Sequence, residues 1–180
     1  VPVENTVGEI HKGWSIGKYL LAHERMSGGS LGHQKTLLRQ LKQIAGQDEV
    51  VGGKPLAKDP AFAQKIATIE LELRTLEAFN MRAIDKFSKD GELGSKALGV
   101  EANIFKMRST EIHQRLTELK VEAIGQYAMP NQMAALKEGW NEPAVGAEYA
   151  NGCMPAYLHF RKLSIYSGSN EIQHDIIAKA

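Results

Sequence analysis

The chain has 180 residues, of which 43% are hydrophobic, enough for one domain with a substantial core. With 22 Lys and Arg against 21 Asp and Glu, the formal net charge is +1, which argues against a nucleic-acid-binding surface. The lone Cys153 cannot form an intramolecular disulfide, and the sequence has no signal peptide or apolar run of spanning length. We therefore expect a reducing compartment, the cytoplasm, and no membrane span.

The first predicted element is helical. Residues 14–46 carry apolar side chains at helical spacing, interrupted by four small residues at 27–30. This pattern predicts either one bent helix or two abutting helices. A loop rich in glycine and proline is predicted over residues 47–60, and Asp59 followed by Pro60 is typical of a helix start.

Two long amphipathic helices are predicted next. In the first, from Ala61 to Lys89, apolar residues recur every three or four positions, namely Ile66, Ile69, Leu73, Leu76, Ala83, Ile84 and Phe87. Gly91 and Gly94 end this helix. The second has the same kind of stripe, formed by Leu98, Ala102, Phe105, Ser109, Ile112, Leu116, Leu119 and Ala123. Two long helices joined by a short turn are expected to lie antiparallel.

The C-terminal third is less regular. A fourth helical segment is predicted between about Pro143 and Phe160, although Gly152 and Pro155 disfavour a regular helix there. The last helix is predicted to run from Ser169 to the end. Strand-like alternation and internal repeats are absent from the sequence. We therefore predict an all-α fold, an up-down four-helix bundle with an additional C-terminal helix.

Gly168 and Ser169 form a small-residue turn directly before the last predicted helix. Glycine allows close approach of the backbone, and the serine can cap the helix. The free N–H groups and the positive end of the helix dipole would then face a ligand. The same pair is also typical of a helix start that is capped and nothing more.

The longer phrase around this turn is more specific. Ile165-Tyr166-Ser167-Gly168-Ser169-Asn170-Glu171-Ile172-Gln173, followed by Ile176-Ile177-Ala178, resembles the C-terminal signature of the acyl-CoA dehydrogenase family. Val1-Pro2-Val3-Glu4-Asn5, with Gly8-Glu9 and Lys12-Gly13, is similar to that family's passage from its middle β-domain into its C-terminal helical domain. The resemblance implies that residues 1–180 are this helical domain, with 1–13 the end of the linker. The N-terminal α- and β-domains would then be absent from this chain.

The resemblance implies α,β-dehydrogenation of an acyl-CoA thioester. A carboxylate in a dry pocket removes the α-proton, and the β-hydrogen leaves as hydride to FAD. Many members have a Glu base at the position that Ser167 occupies here. An unassisted serine hydroxyl is far too weak a base to replace it.

A second location for the base exists in the family, on the first helix of this domain, where a Glu precedes an Arg. Here that pair is Glu24-Arg25, and the phrase from Leu20 to Gly29 is similar to isovaleryl-type, long-chain-type and bacterial pimeloyl-CoA dehydrogenase-like proteins. The resemblance implies that Glu24 is the base and that Arg25 lines the acyl-CoA site. The alternative is an ordinary pair of charges on a helix surface.

The resemblance also implies cofactor contacts. Ser169 and Glu171 match positions that touch FAD, and Gly168 matches a position near the thioester. Gly125 and Gln126 correspond loosely to a further glycine motif of the flavin site.

One flavin contact is altered, because Glu49 stands where typical members have an Arg that reaches the flavin pyrophosphate of a neighbouring subunit. Family members are usually tetramers built through this domain, so we expect a homo- or hetero-tetramer, with electron-transfer flavoprotein as acceptor. The second hypothesis is a catalytically silent partner subunit or oligomerisation module, favoured by Ser167, by Glu49 and by the glycine motif at Gly125, which keeps only its first glycine. A third is a plain helical bundle that binds proteins. The six histidines and scattered carboxylates have no metal-ligand spacing, so we predict no metal.

Overall fold

The computed structural model describes residues 1–27, 30–47, 54–90 and 99–180, with side chains except at 21–27, Phe87 and Asp90. Within these ranges the chain has no β-strand and contains the α-helices α1 Gly13–Ser27, α2 Leu31–Ala45, α3 Pro60–Asp90, α4 Gly99–Ile124, α5 Cys153–Phe160 and α6 Asn170–Ala178. Short 3-10 turns occur at Val3–Asn5, Leu56–Lys58, Gly125–Ala128, Met133–Leu136, Glu148–Ala150 and Arg161–Ser164. The all-α prediction is confirmed.

Local chemistry explains where the helices begin and end. The predicted interruption of the first helical region separates α1, which ends at Ser27, from α2, which begins at Leu31. At the start of α3, the Asp59 carboxylate accepts a hydrogen bond of 2.8 Å from the Phe62 N–H, and Pro60 occupies the first helical position, where its missing N–H costs nothing. This predicted helix start is confirmed.

Ion pairs fix the directions of the three long helices. Between α3 and α4 the pairs are Lys65–Glu122, Glu72–Arg115 and Lys86–Glu101. Residue numbers rise along α3 while they fall along α4, so the two helices are antiparallel, as predicted. Between α2 and α3 the pairs Lys35–Glu77 and Lys42–Glu70 run in the same antiparallel sense. These contacts set the register, but exposed pairs of this kind add little to stability.

The hydrophobic core lies where α2, α3 and α4 meet. Its most deeply buried large side chains are Leu41, Ile69, Ile112 and Leu116. The predicted stripe of α3 is buried as far as Leu76, whereas Ile84 is 39% exposed. The reason is geometric, because Glu77 already pairs with Lys35 near the start of α2. The rest of α3 therefore extends beyond the first residues of α2.

The fourth predicted helical segment is shorter than expected. Residues from Pro143 onward form irregular chain and one 3-10 turn, and α5 begins only at Cys153. Gly152 has a φ of +76°, a left-handed conformation that a right-handed helix cannot contain. The prediction that this segment begins near Pro143 is therefore wrong. Both α5 and α6 pack against α4, and the last helix starts after Ser169 as predicted.

Candidate functional site

The turn before α6 has an uncommon backbone. Ser167 has a φ of +57° and Gly168 a φ of +80°, so two successive residues are left-handed. Glycine adopts this conformation freely, whereas a serine there is infrequent and often marks a functional position. Ser169 then returns to extended backbone, and its hydroxyl accepts a hydrogen bond of 3.4 Å from the Ile172 N–H. Its role as helix cap is confirmed.

The side chain of Gln173 lies directly beneath this turn. Gln173 is buried, and its Nε2 donates to the Gly168 carbonyl oxygen at 3.3 Å. A Cβ atom on Gly168 would overlap that amide group. Position 168 therefore requires glycine for two reasons, the left-handed backbone and the close approach of Gln173.

The charges at the start of α6 belong to two helices. Lys106 of α4 donates to Asn170 Oδ1 at 2.8 Å. Hydrogen bonds from its own backbone N–H and from the Ser169 side chain hold the pKa of the Glu171 carboxyl below its usual range, and Lys106 and His174 act in the same direction. Glu171 is thus ionised at the N-terminus of α6, where the helix dipole favours an anion.

Several elements converge on one stretch of α4. Gln34 of α2 donates to the Ser109 carbonyl oxygen at 2.9 Å and to its hydroxyl at 2.8 Å. Gln114 donates to the Arg161 carbonyl oxygen at 3.0 Å, which ties down the end of α5. Since Lys106 holds the start of α6, the starts of α2 and α6 meet α4 within one helical turn of each other.

The helix that carries Glu24 leads into this region. Glu24 and Arg25 lie in the last turn of α1, which ends at Ser27, and α2 begins at Leu31. Their side chains fall outside the described part of the chain. Helix α1 contacts α4, and α2, which follows it in the sequence, is bonded to the same helix through Gln34. Glu49 lies outside the described residues.

Gly125 and Gln126 lie far from this convergence. Gly125, with a φ of +63°, follows the last residue of α4. It comes 19 positions after Lys106, about 28 Å along a helix that rises about 1.5 Å per residue. Within one chain, the structure does not bring Gly125 and Gln126 to the Ser167–Ser169 turn.

Sequence reasoning missed a buried polar cluster beside the convergence. His113 is 2% exposed, and its ring stacks on His33 at 5.3 Å and contacts Phe160 at 4.2 Å. Neither nitrogen of His113 has a hydrogen-bond partner among the described atoms, and the same holds for Gln34 Oε1. Burial, with the nearby charges of His33 and Arg161, lowers the pKa of His113 to about 4. The burial of His113 could have been inferred from its position between Ile112 and Leu116, which belong to the predicted apolar stripe of α4.

An open groove of about 680 Å³ lies between α2 and α3. Leu38 and Leu73 line it together with mostly charged residues. Glu70 there accepts from Lys42 at 2.6 Å and from Arg74 at 2.8 Å, which lowers its pKa. None of the predicted site residues whose side chains the structure describes lines this groove.

The described part of the chain contains no cluster of three or more His, Cys, Asp or Glu side chains that could hold a metal ion. None of the helices in the described ranges combines the length and the apolar character that a bilayer crossing requires. Cys153 is buried, and burial raises the pKa of its thiol, so it is a poor nucleophile.

Several known proteins resemble this chain in sequence and in fold. Acyl-CoA dehydrogenase FadE26 of Mycobacterium tuberculosis is 26% identical over 179 residues, which are 98% of this chain and 41% of that protein. The crystal structure of the ChsE4-ChsE5 complex from Mycobacterium tuberculosis matches with a TM-score of 0.68 and 26% identity over 99% of this chain and 42% of that one. An FAD complex of PigA shares the fold, with a TM-score of 0.62 and 19% identity over 83% of this chain and 33% of that one.

The chain therefore spans about two fifths of the length of the curated relatives it matches. Residues 11–180 match the family described as the acyl-CoA dehydrogenase C-terminal domain. That match covers nearly all of the chain, and the all-α fold agrees with it. The chain belongs to the acyl-CoA dehydrogenase family, as its C-terminal helical domain.

Proposed function

We propose that the protein carrying this chain is an FAD-dependent acyl-CoA dehydrogenase that introduces an α,β double bond into an acyl-CoA thioester. The observation that carries the proposal is that the starts of α2 and α6 contact α4 within one helical turn. The end of α1, which holds Glu24, precedes α2 by a few residues in the sequence, and the Ser167–Ser169 turn directly precedes α6. They supply a candidate carboxylate and a candidate ligand-binding turn from opposite parts of the sequence.

In this proposal Glu24 removes the α-proton. A carboxylate is the side chain whose basicity rises when it is shielded from water, which suits the removal of a proton made acidic by a bound thioester carbonyl. Arg25 would line the acyl-CoA site, and Gly168 would lie near the thioester. The likeness of the Leu20–Gly29 phrase to isovaleryl-type, long-chain-type and pimeloyl-CoA dehydrogenase-like members supports the assignment of the base.

Ser167 supports the same assignment indirectly. Its backbone is left-handed, and its hydroxyl is too weak to serve as the base. A turn that binds a ligand without supplying the base is what we expect if the base lies elsewhere, at Glu24.

The residues at this turn fit a flavin. Ser167 and Gly168 are exposed and small, and the neighbouring Ile165 and Tyr166 expose apolar surface that a planar ring could cover. Ser169 and Glu171 would contact the cofactor at the N-terminus of α6. The FAD complex of PigA, which shares the fold, supports FAD as the cofactor. FAD, when bound, supplies the acceptor for the β-hydride.

The separation within one chain favours an oligomer. Gly125 and Gln126 lie at the far end of α4, so they could approach a flavin at the Ser167–Ser169 turn only from a second subunit. The ChsE4-ChsE5 complex supports assembly of such domains with unlike partners. We propose a homo- or hetero-tetramer, with electron-transfer flavoprotein as the electron acceptor.

The alternative proposal is a silent partner subunit or oligomerisation module with the same fold. Ser167, which removes the usual carboxylate from the turn, favours it. A silent subunit needs no base at Glu24, so this residue separates the two functions.

The visible absorption spectrum of the full-length protein tests the proposal. It should carry the flavin bands, and a panel of acyl-CoA thioesters under anaerobic conditions should bleach them. A flavin-free protein, or a flavin that no thioester reduces, would favour the silent subunit. Residues 1–180 alone are expected to be inactive, since the relatives are more than twice as long.

A further inference from the structure

We infer that Lys106 is a positioning residue, whose hydrogen bond to Asn170 holds the first turn of α6, and with it the Ser167–Ser169 turn, against α4. The contact joins residues 64 positions apart, from Lys106 Nζ to Asn170 Oδ1 at 2.8 Å. The role of Lys106 in cofactor binding rests on the proposed function, whereas its role in positioning α6 does not.

The helix α6 has little apolar anchorage of its own. It spans only Asn170–Ala178, and its buried residue is the polar Gln173. Of its three isoleucines, Ile172 is 55% exposed, Ile176 is also exposed, and Ile177 is partly buried. A short helix with two of its three large apolar side chains in solvent gains little from burial, and isolated helices of this length are unstable in water. Polar contacts at its start therefore matter more than usual.

Lys106 is well placed to supply that contact. It lies between the buried residues Phe105 and Met107 and is itself only partly exposed. Burial lowers the pKa of its ammonium, while the Glu171 carboxylate acts in the opposite direction. A fixed hydrogen-bond acceptor stabilises a partly desolvated ammonium more than a fully hydrated one, because the acceptor replaces water that the ammonium has lost.

The position is otherwise unfavourable for a cation. The N-terminus of a helix carries partial positive charge, which repels an ammonium group. Lys106 lies there nonetheless, and the side chains that compensate are Asn170 and Glu171, both in the first turn of α6. The attraction to these two side chains accounts for its placement.

Lys120 offers a matched control. It lies on the same helix and donates to a side-chain amide oxygen of another helix, Gln40 Oε1, at 3.1 Å. That contact is exposed and involves α2 rather than α6. Loss of Lys120 therefore removes a bond of the same chemistry without touching the Ser167–Ser169 turn.

The test is amide hydrogen exchange in the full-length protein. In Lys106→Met and in Asn170→Ala, the amides of α6 should exchange about tenfold faster than in the wild type, while those of α3 stay unchanged. The double variant should exchange no faster than the faster single variant, because both changes remove one contact. Lys106→Arg should restore much of the protection, and Lys120→Met should leave α6 unaffected.

The dissociation constant for FAD supplies the second readout. Lys106→Met should weaken FAD binding by about tenfold, and Lys120→Met should not. If wild type binds no FAD, the proposed function fails and exchange alone decides the role of Lys106. Two results would overturn the inference. One is that the α6 amides of Lys106→Met exchange within twofold of the wild-type rate, and the other is that exchange accelerates equally in α3 and α6.

Discussion

Gln34 and Ser109 are joined by two hydrogen bonds, although 75 positions separate them in the sequence. Both side chains are buried, so water does not compete for these hydrogen bonds, which fix the first turn of α2 on α4. Lys106 lies one turn away on α4 and contacts the start of α6. The two contacts bring the starts of α2 and α6 to neighbouring turns of α4.

Gly168 should tolerate substitution less well than another glycine of the same conformation. Gly139 has a φ of +83° and open space where an added methyl group would lie, whereas a Cβ on Gly168 would overlap Gln173. Gly139→Ala should cost about 1–2 kcal/mol for left-handed backbone, and Gly168→Ala about 1 kcal/mol more for the lost Gln173 contact. Urea unfolding of both variants measures the difference. Equal losses would show that Gln173 moves aside freely.

His113 should make stability depend on pH. Its pKa is lowered from 6.5 to about 4 in the folded chain, so between these values the unfolded state binds more protons. Stability should therefore fall as pH drops from 6.5 to 4, by about 3 kcal/mol in total. His113→Phe should flatten this part of the curve, because it keeps an aromatic ring without the titrating group.

The control for this prediction is His159→Phe, which changes an exposed histidine that also contacts Phe160. It should leave the pH dependence of unfolding as in the wild type. Unfolding free energies at a series of pH values give the comparison. A wild-type curve that is flat between pH 6.5 and 4 would contradict the burial of His113 in a neutral state.

Much of the fold could be predicted from local sequence. The start of α3 at Asp59 and Pro60, the stripe from Ile66 to Leu76 and the cap at Ser169 depend on neighbours within four positions. Such patterns are visible in one sequence. The shortened α5 depends on the left-handed backbone of Gly152, which glycine allows but does not require.

The candidate site was less accessible to sequence reasoning. The bond between Lys106 and Asn170 and the burial of His113 depend on residues more than 40 positions away. No periodicity within a helix reports such pairings. Ser169 and Gly168 were found because the turn and the cap are local, whereas the family resemblance alone pointed to Glu24.

The stripe of α3 allows a direct comparison of buried and exposed leucines. Leu73 is 2% exposed, and Leu71, on the same helix, is 67% exposed. Leu73→Ala should destabilise the fold by about 2–5 kcal/mol through loss of burial and the cavity left behind. Leu71→Ala should change stability by no more than about 0.5 kcal/mol. Similar losses in chemical denaturation would contradict the packing of α3 against α2 and α4.

Anaerobic reduction of bound flavin by acyl-CoA tests the central claim most directly, in the full-length protein as wild type, Glu24→Gln and Glu24→Asp. Glu24→Gln removes the base while preserving size, so it should bind FAD as wild type does and lose bleaching by about a hundredfold or more. Glu24→Asp should retain part of the rate, since it keeps a carboxylate. If Glu24→Gln bleaches at the wild-type rate, Glu24 is not the base and the account is contradicted.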